Sequence, residues 1–154
     1  MTKLLLSLHV LAAIIAIGPV TVAASMFPAA ARRAFATPAD QHHLVTARTL
    51  HRICRVYAAI GLAVPVFGLA TAASLGVLTD TWLTISIALT GAAAGILALA
   101  ILPDQTRILA ALSGTASQPV PSTAQLAMFT GIFNLLWTVV TVLMIVRPGS
   151  TTGA

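Results

Sequence analysis

The chain has 154 residues, 58% of them hydrophobic and 7% charged, with a mean hydropathy of +1.01. A water-soluble domain could not cover that much apolar surface with so few charges, so composition excludes the soluble classes and points to a single all-α membrane domain spanning 1–154. The net charge of +5 and pI near 11.3 would suit nucleic acid, but five of the eight basic residues, Arg32, Arg33, Arg48, Arg52 and Arg55, fall in one segment between apolar runs. That grouping is a topology signal and not a phosphate-binding face.

The first apolar run, read as a helix over about 4–27, belongs to a stretch of 28 residues between Lys3 and Arg32 without Asp, Glu, Lys or Arg. About 20 suffice to cross the hydrocarbon core. A secretory signal peptide is the rival reading, from Lys3 and the small residues Val22-Ala23-Ala24. The stretch exceeds a typical h-region, so a retained span is expected. Pro19 denies the Ile15 carbonyl its helical donor and should bend the helix. His9 lies about 7 Å inside the run by helical rise. An ionisable group at that depth is expensive unless it is bonded or functional, which makes His9 the first candidate site residue. It reads either as an imidazole bonded to a neighbouring carbonyl or hydroxyl, or as a haem or metal ligand.

Thr37-Pro38-Ala39-Asp40 has the signature of a helix start, with Thr37 as N-cap and Pro38 at the first helical position. A second helix over about 38–76 is therefore expected, with about four turns outside the membrane before the apolar run that opens at Val56. On that extension Arg48, His51, Arg52 and Arg55 recur at i, i+3, i+4 and i+7, one basic face suited to anionic lipid headgroups or an anionic partner. His42 and His43 point about 100° apart on a helix and so do not share a metal. Cys54 is the single cysteine, which excludes an internal disulfide and predicts labelling only from the cytoplasmic face. Gly61, Pro65 and Gly68 predict a kink with close helix approach.

Residues 75–80 read as a tight turn with Gly76 as C-cap. The third helix is expected over about 81–103, opening with Trp82 at interfacial depth and ending at Pro103-Asp104. Gly91-Ala92-Ala93-Ala94-Gly95 is a small-xxx-small motif, expected to pack inside the bundle. Residues 105–125 read as a loop with a short interfacial turn at 107–112. The fourth helix, over about 125–146, carries Thr130, Asn134, Thr138 and Thr141 at i, i+4, i+8 and i+11. This polar stripe is expected to face inward, with Asn134 near mid-bilayer bonded to another helix. Trp137 is too deep for an aromatic belt and is expected in the core or in a cavity wall. Met144, three residues before Arg147, sits at a depth similar to that of His9 and is the one soft side chain there that offers a second ligand.

Four spans place residues 28–55 and 103–125 on one side with six basic residues, leaving Lys3 and Arg147 on the other. The positive-inside rule then predicts both termini outside, in a bacterial inner membrane. His9 and His51 would lie near opposite surfaces, which excludes them as two axial ligands of one haem. The three acids, Asp40, Asp80 and Asp104, all fall at expected helix ends, and there is no Gly-rich phosphate loop. An enzyme is therefore not the expected class.

Leu8-His9-Val10-Leu11-Ala12-Ala13, Gly18-Pro19 and the closing Leu143-Met144-Ile145-Val146-Arg147-Pro148-Gly149 resemble an uncharacterised family of four-helix bacterial integral membrane proteins. More distantly, an early Leu-His in an Ala/Leu-rich first helix is similar to the HemJ-type protoporphyrinogen oxidases and the copper-resistance D membrane proteins. In the HemJ-type family a first-helix His is associated with haem, an implication that here falls on His9 alone. Ala29, Ala30 and Ala31 stand where those proteins carry basic and aromatic residues.

Three classes of function remain. The first is an accessory or ligand-binding bundle held together by Gly91, Gly95 and Asn134. The second is a haem- or metal-binding redox protein using His9 with Met144, and the third a small-solute or metal transporter acting as an oligomer. The expected partners are membrane lipids, including anionic headgroups, with a homodimer or larger membrane complex as the alternative to a lone chain. Nucleic acid is not expected.

Overall fold

A computed structural model describes residues 2–148; Gly149, which closes the last motif, lies outside them. The order of elements is α1 (Thr2–Ala36), α2 (Gln41–Gly61), α3 (Ala63–Leu75), α4 (Thr81–Ile96), a π-helical stretch (Leu97–Ile101), α5 (Leu102–Leu112) and α6 (Thr123–Val146). Four helical rods, Thr2–Ala36, Gln41–Leu75, Thr81–Leu112 and Thr123–Val146, are long and apolar enough to cross a membrane. The chain is an all-α four-helix bundle of multi-pass type. Its antiparallel course puts the start of α1, the turn at 76–80 and the end of α6 at one end, called here the terminal end. The turn at 37–40 and the loop at 113–122 lie at the other, basic end.

α1 is the hub and packs on α2, α3 and α6, while α4 packs on α6 and α5 on α2. Its buried face is mostly alanine: Ala16, Ala23, Ala24, Ala30, Ala31 and Ala34 with Val20, Phe27 and Pro28. Lipid is as apolar as leucine, so helices in it associate through close packing and not through water exclusion, and alanine lets the backbones approach. The main core joins this face to Ala47, Leu50 and Cys54 of α2, Ala93, Ile101, Ile108, Leu126 and Phe133. Most of these lie toward the basic end. At the terminal end only a small cluster forms, Ala72, Trp82 and Leu83 with Val77 and Met144.

The helix boundaries depart from the expected ones in four places. First, α1 continues through Pro28 to Ala36. Thr37 Oγ1 closes it by donating to the Arg33 carbonyl at 2.9 Å. Asp40 therefore caps α2 instead, accepting from the His42 amide at 2.9 Å. Second, the rod expected as one helix over 38–76 is divided at Leu62 by the kink that Gly61 and Pro65 predict, and the Leu62 amide donates only three residues back, to Ala59 at 3.3 Å. Pro65 has no N–H for the Gly61 carbonyl, so the ladder loses a rung there.

Third, Pro103 does not end the third rod. The Leu102 amide bonds to the Leu97 carbonyl, five residues back. This widened turn moves the preceding carbonyls clear of the proline ring and lets the helix continue to Leu112. Asp104 is thus inside α5, buried and paired with Arg107 at 3.2 Å. Fourth, α6 begins at Thr123 under a Ser122 cap, whose Oγ accepts from the Gln125 amide at 3.0 Å. Gly76 does cap α3 in the left-handed region, at φ 69°.

The small-residue motif of α4 packs inside the bundle through Ala93, which belongs to the main core, and not through its two glycines. A Cβ added at Gly91 or Gly95 would meet nothing within 4 Å. The buried side of α4 is formed by Trp82, Leu83, Ser86 and Ala93, which turns the two glycines off the packing face. Trp82, expected at the interface, is buried, and its Nε1–H donates to Asp80 Oδ2 at 2.9 Å.

Candidate functional site

Because the tight core lies toward the basic end, the terminal half of the bundle is loosely closed, and between the α1/α3 and α4/α6 sides lies a half-open cleft of about 1170 Å³. Ligand sites commonly measure about 300–1,000 Å³, so this space is large enough for a substantial molecule. Its walls are apolar, with Val10, Ile14 and Ile17 on α1, Leu69 on α3, Ile87 on α4 and Val140 on α6. The polar or soft groups that line it are His9, Thr90, Trp137, Thr141, Met144 and Arg147.

His9 is half-buried, with Nδ1 at 2.9 Å from the Val64 carbonyl oxygen. A carbonyl only accepts, so Nδ1 carries the proton and donates. The other ring nitrogen, Nε2, has no hydrogen-bond partner among the described residues. The seat for the ring is Gly68, where a Cβ would fall 2.9 Å from Cε1 and 3.1 Å from Nδ1 of His9. Pro65-x-x-Gly68 signals a close approach in the sequence, but not which side chain approaches.

Met144 lines the same cleft and packs on the Trp82 cluster. Arg147 caps α6 in the left-handed region at φ 45°. Its Nε–H donates to the Met144 carbonyl at 3.2 Å, and its guanidinium lies 5.7 Å from the centroid of the Trp82 ring. This distance is within cation–π range. The placement of Arg147 over Trp82 had no signal in the sequence beyond the end of an apolar run.

Deeper in, Trp137 lines the cleft and meets Phe133 edge-on, with ring centroids 6.3 Å apart at 68°. Asn134 Nδ2 donates to Ser25 Oγ at 3.1 Å and ties α6 to α1. Asn134 Oδ1 and Trp137 Nε1 are buried without a partner among the described residues. The polar stripe of α6 does not face inward along its whole length. Thr130 is buried and Thr141 borders the cleft, but Thr138 is exposed on the outside of the helix. Its hydroxyl donates to the Asn134 carbonyl at 2.9 Å, so a threonine facing outward leaves no polar group unpaired.

The basic face of α2 divides. Arg48 Nη2 donates to Ser113 Oγ at 2.9 Å, and His51 Nδ1–H donates to Gln105 Oε1 at 2.9 Å. The fully buried Gln105 in turn donates through Nε2 to Cys54 Sγ at 3.6 Å. Arg52 and Arg55 are exposed and have no ion pair among the described residues. Residues 105–125 read as a loop in the sequence, which gives no signal for Gln105 as a structural residue, and only its place on α5 brings it against α2.

Cys54 is 0% exposed, which changes the labelling expected of it. A membrane-impermeant maleimide is expected to leave it unlabelled from either side in the folded protein and to label it after unfolding in SDS. Labelling of the folded protein at the rate of an exposed thiol would contradict this packing.

No family model, curated protein or solved structure matches the chain. The cleft and its residues are therefore the ground for a functional reading. Among the described residues no group of three His, Cys, Asp or Glu converges, so a metal here would rest on His9 and Met144.

Proposed function

We propose that the protein lies in a bacterial inner membrane with both termini outside and binds an apolar ligand in its terminal-end cleft, in the outer half of the bilayer. The observation that carries this reading is the cleft itself: about 1170 Å³, apolar-walled and half-open, beside a tightly packed alanine core. An unfilled gap between helices forfeits dispersion contacts on both walls, so the space favours an occupant. Exposed Arg52 and Arg55 on the opposite, cytoplasmic side support contact there with anionic headgroups.

The test is the molecule carried through purification. Native mass spectrometry from mild detergent should find an apolar adduct on the wild type. Gly91→Phe, whose new ring enters the cleft from an open position, should lose that adduct while keeping its thermal transition. Equal adducts on both would refute the reading.

A second reading, haem or copper bound by His9, is favoured by the geometry of that ring. One nitrogen is held by the Val64 carbonyl and the other is unpartnered in a cleft that also contains Met144. Backbone-anchored imidazoles of this kind are common metal and haem ligands. Such a group would supply electron-transfer chemistry, with His9 as one ligand and Met144 as the other. A Soret band or stoichiometric copper that His9→Ala abolishes is the expected sign. A colourless, metal-free wild type after expression with haem and copper supplied defeats this reading.

A further inference from the structure

We infer that the occupant of the cleft is an anionic amphiphile, with its carboxylate or phosphate head on Arg147 and an acyl chain running down the cleft past Trp137. This rests on the ligand-binding reading above and names the class of ligand.

The charge argument comes first. Arg147 lines the cleft at its terminal end, and its only protein hydrogen bond is through Nε. The two terminal amino groups of the guanidinium have neither hydrogen bond nor ion pair with any described residue. Asp80, the carboxylate at this end, accepts from Trp82 and lies beyond ion-pair distance of Arg147. A guanidinium presents a planar fork that matches carboxylate or phosphate, and this one is held by the Trp82 ring beneath it and the Met144 carbonyl beside it.

The backbone points the same way. Arg147 is the single non-glycine residue with positive φ among the described residues, at a helix-capping position where glycine is the usual choice. Capping alone would be met with less strain by glycine. Arginine there adds a cation beside the cleft.

Dimensions supply the chain. The α1 wall runs from Leu6 to Gly18, thirteen residues whose twelve steps rise about 18 Å along the helix. That is a little over half of a hydrocarbon core about 30 Å thick, which is the reach of one acyl chain in one leaflet. Along this length the lining is mostly aliphatic, with His9, Thr90, Trp137 and Thr141 as the exceptions, and the one full cation sits at the terminal end, so the charge runs as it does in the ligand.

The two tryptophans of the chain report on the two ends, Trp82 beneath Arg147 and Trp137 deeper in the cleft. The protein in phosphatidylcholine nanodiscs is titrated with stearate carrying a doxyl quencher near the head or near the tail, with the methyl esters, and with a long-chain alkylammonium. Trp82→Phe and Trp137→Phe separate the two signals. The expected result is saturable quenching by the acid, the head-labelled probe acting on Trp82 and the tail-labelled probe on Trp137. The acid should be favoured over ester and ammonium by roughly tenfold or more, as for a charge-assisted hydrogen bond. Arg147→Gln should remove that preference and Arg147→Lys keep part of it.

Displacement by unlabelled palmitate or by a lysophosphatidate tells a carboxylate head from a phosphate one, and displacement by neither counts against the inference. If acid and ester saturate equally in the wild type, the anionic head is wrong while the apolar site stands, and that comparison needs no variant. If no probe quenches saturably, both the amphiphile and the cleft-ligand reading fall.

Discussion

Phe27→Ala should destabilise the bundle by about 3–5 kcal/mol, the range for truncating a fully buried phenylalanine. Phe27 is 0% exposed and belongs to the cluster that joins α1 to α2, the π-helical stretch and α6. Its neighbours on α1 are mainly alanines, which have no side-chain freedom with which to close the gap. Dispersion contacts, which in lipid carry much of the packing energy, are therefore lost outright. The check is the thermal or SDS-induced transition of purified protein against that of Leu135→Ala, a residue 64% exposed that should change little. A loss below about 1 kcal/mol at Phe27 would mean that the helices collapse into the space.

The same chemical change at three glycines should give opposite results. At Gly68, alanine would drive its Cβ to 2.9 Å from the His9 ring, so the ring must leave the Val64 carbonyl or α3 must shift. The expected loss is about 1–3 kcal/mol, as for overpacking elsewhere, together with reduced ligand occupancy if the cleft is the binding site. At Gly91 or Gly95, where the new methyl meets nothing within 4 Å, alanine should be neutral or slightly stabilising, since it is the better helix former. Thermal transitions of the three variants decide the matter. A loss at Gly95, which lies off the cleft, equal to that at Gly68 would reveal a contact made by another chain.

The four rods were legible from hydropathy and charge spacing because a segment in lipid must satisfy its backbone within itself, so a long apolar run has helix as its solution. The Gly76 cap was legible for a similarly local reason: a chain leaving a helix needs a left-handed residue, and glycine takes it without strain. The bond from Asn134 to another helix was foreseen because an amide at that depth must find a partner. Ser25 was not foreseeable, since the partner lies 109 residues away.

Pro103 shows where local rules stop. Whether a proline ends a helix depends on whether the preceding turn widens and whether the next one has a surface to pack on. Both were settled by the π-helical stretch and by the seating of Gln105 and Ile108 against the core. The candidate site divides along the same line. Counting residues along a helix gives depth, which is why His9 and Met144 could be placed at one level. It does not give rotation about the helix axis, which is set by how neighbouring helices interlock. That rotation brings His9 onto Gly68, turns Gly91 to the cleft instead of to a helix, and places Arg147 over Trp82.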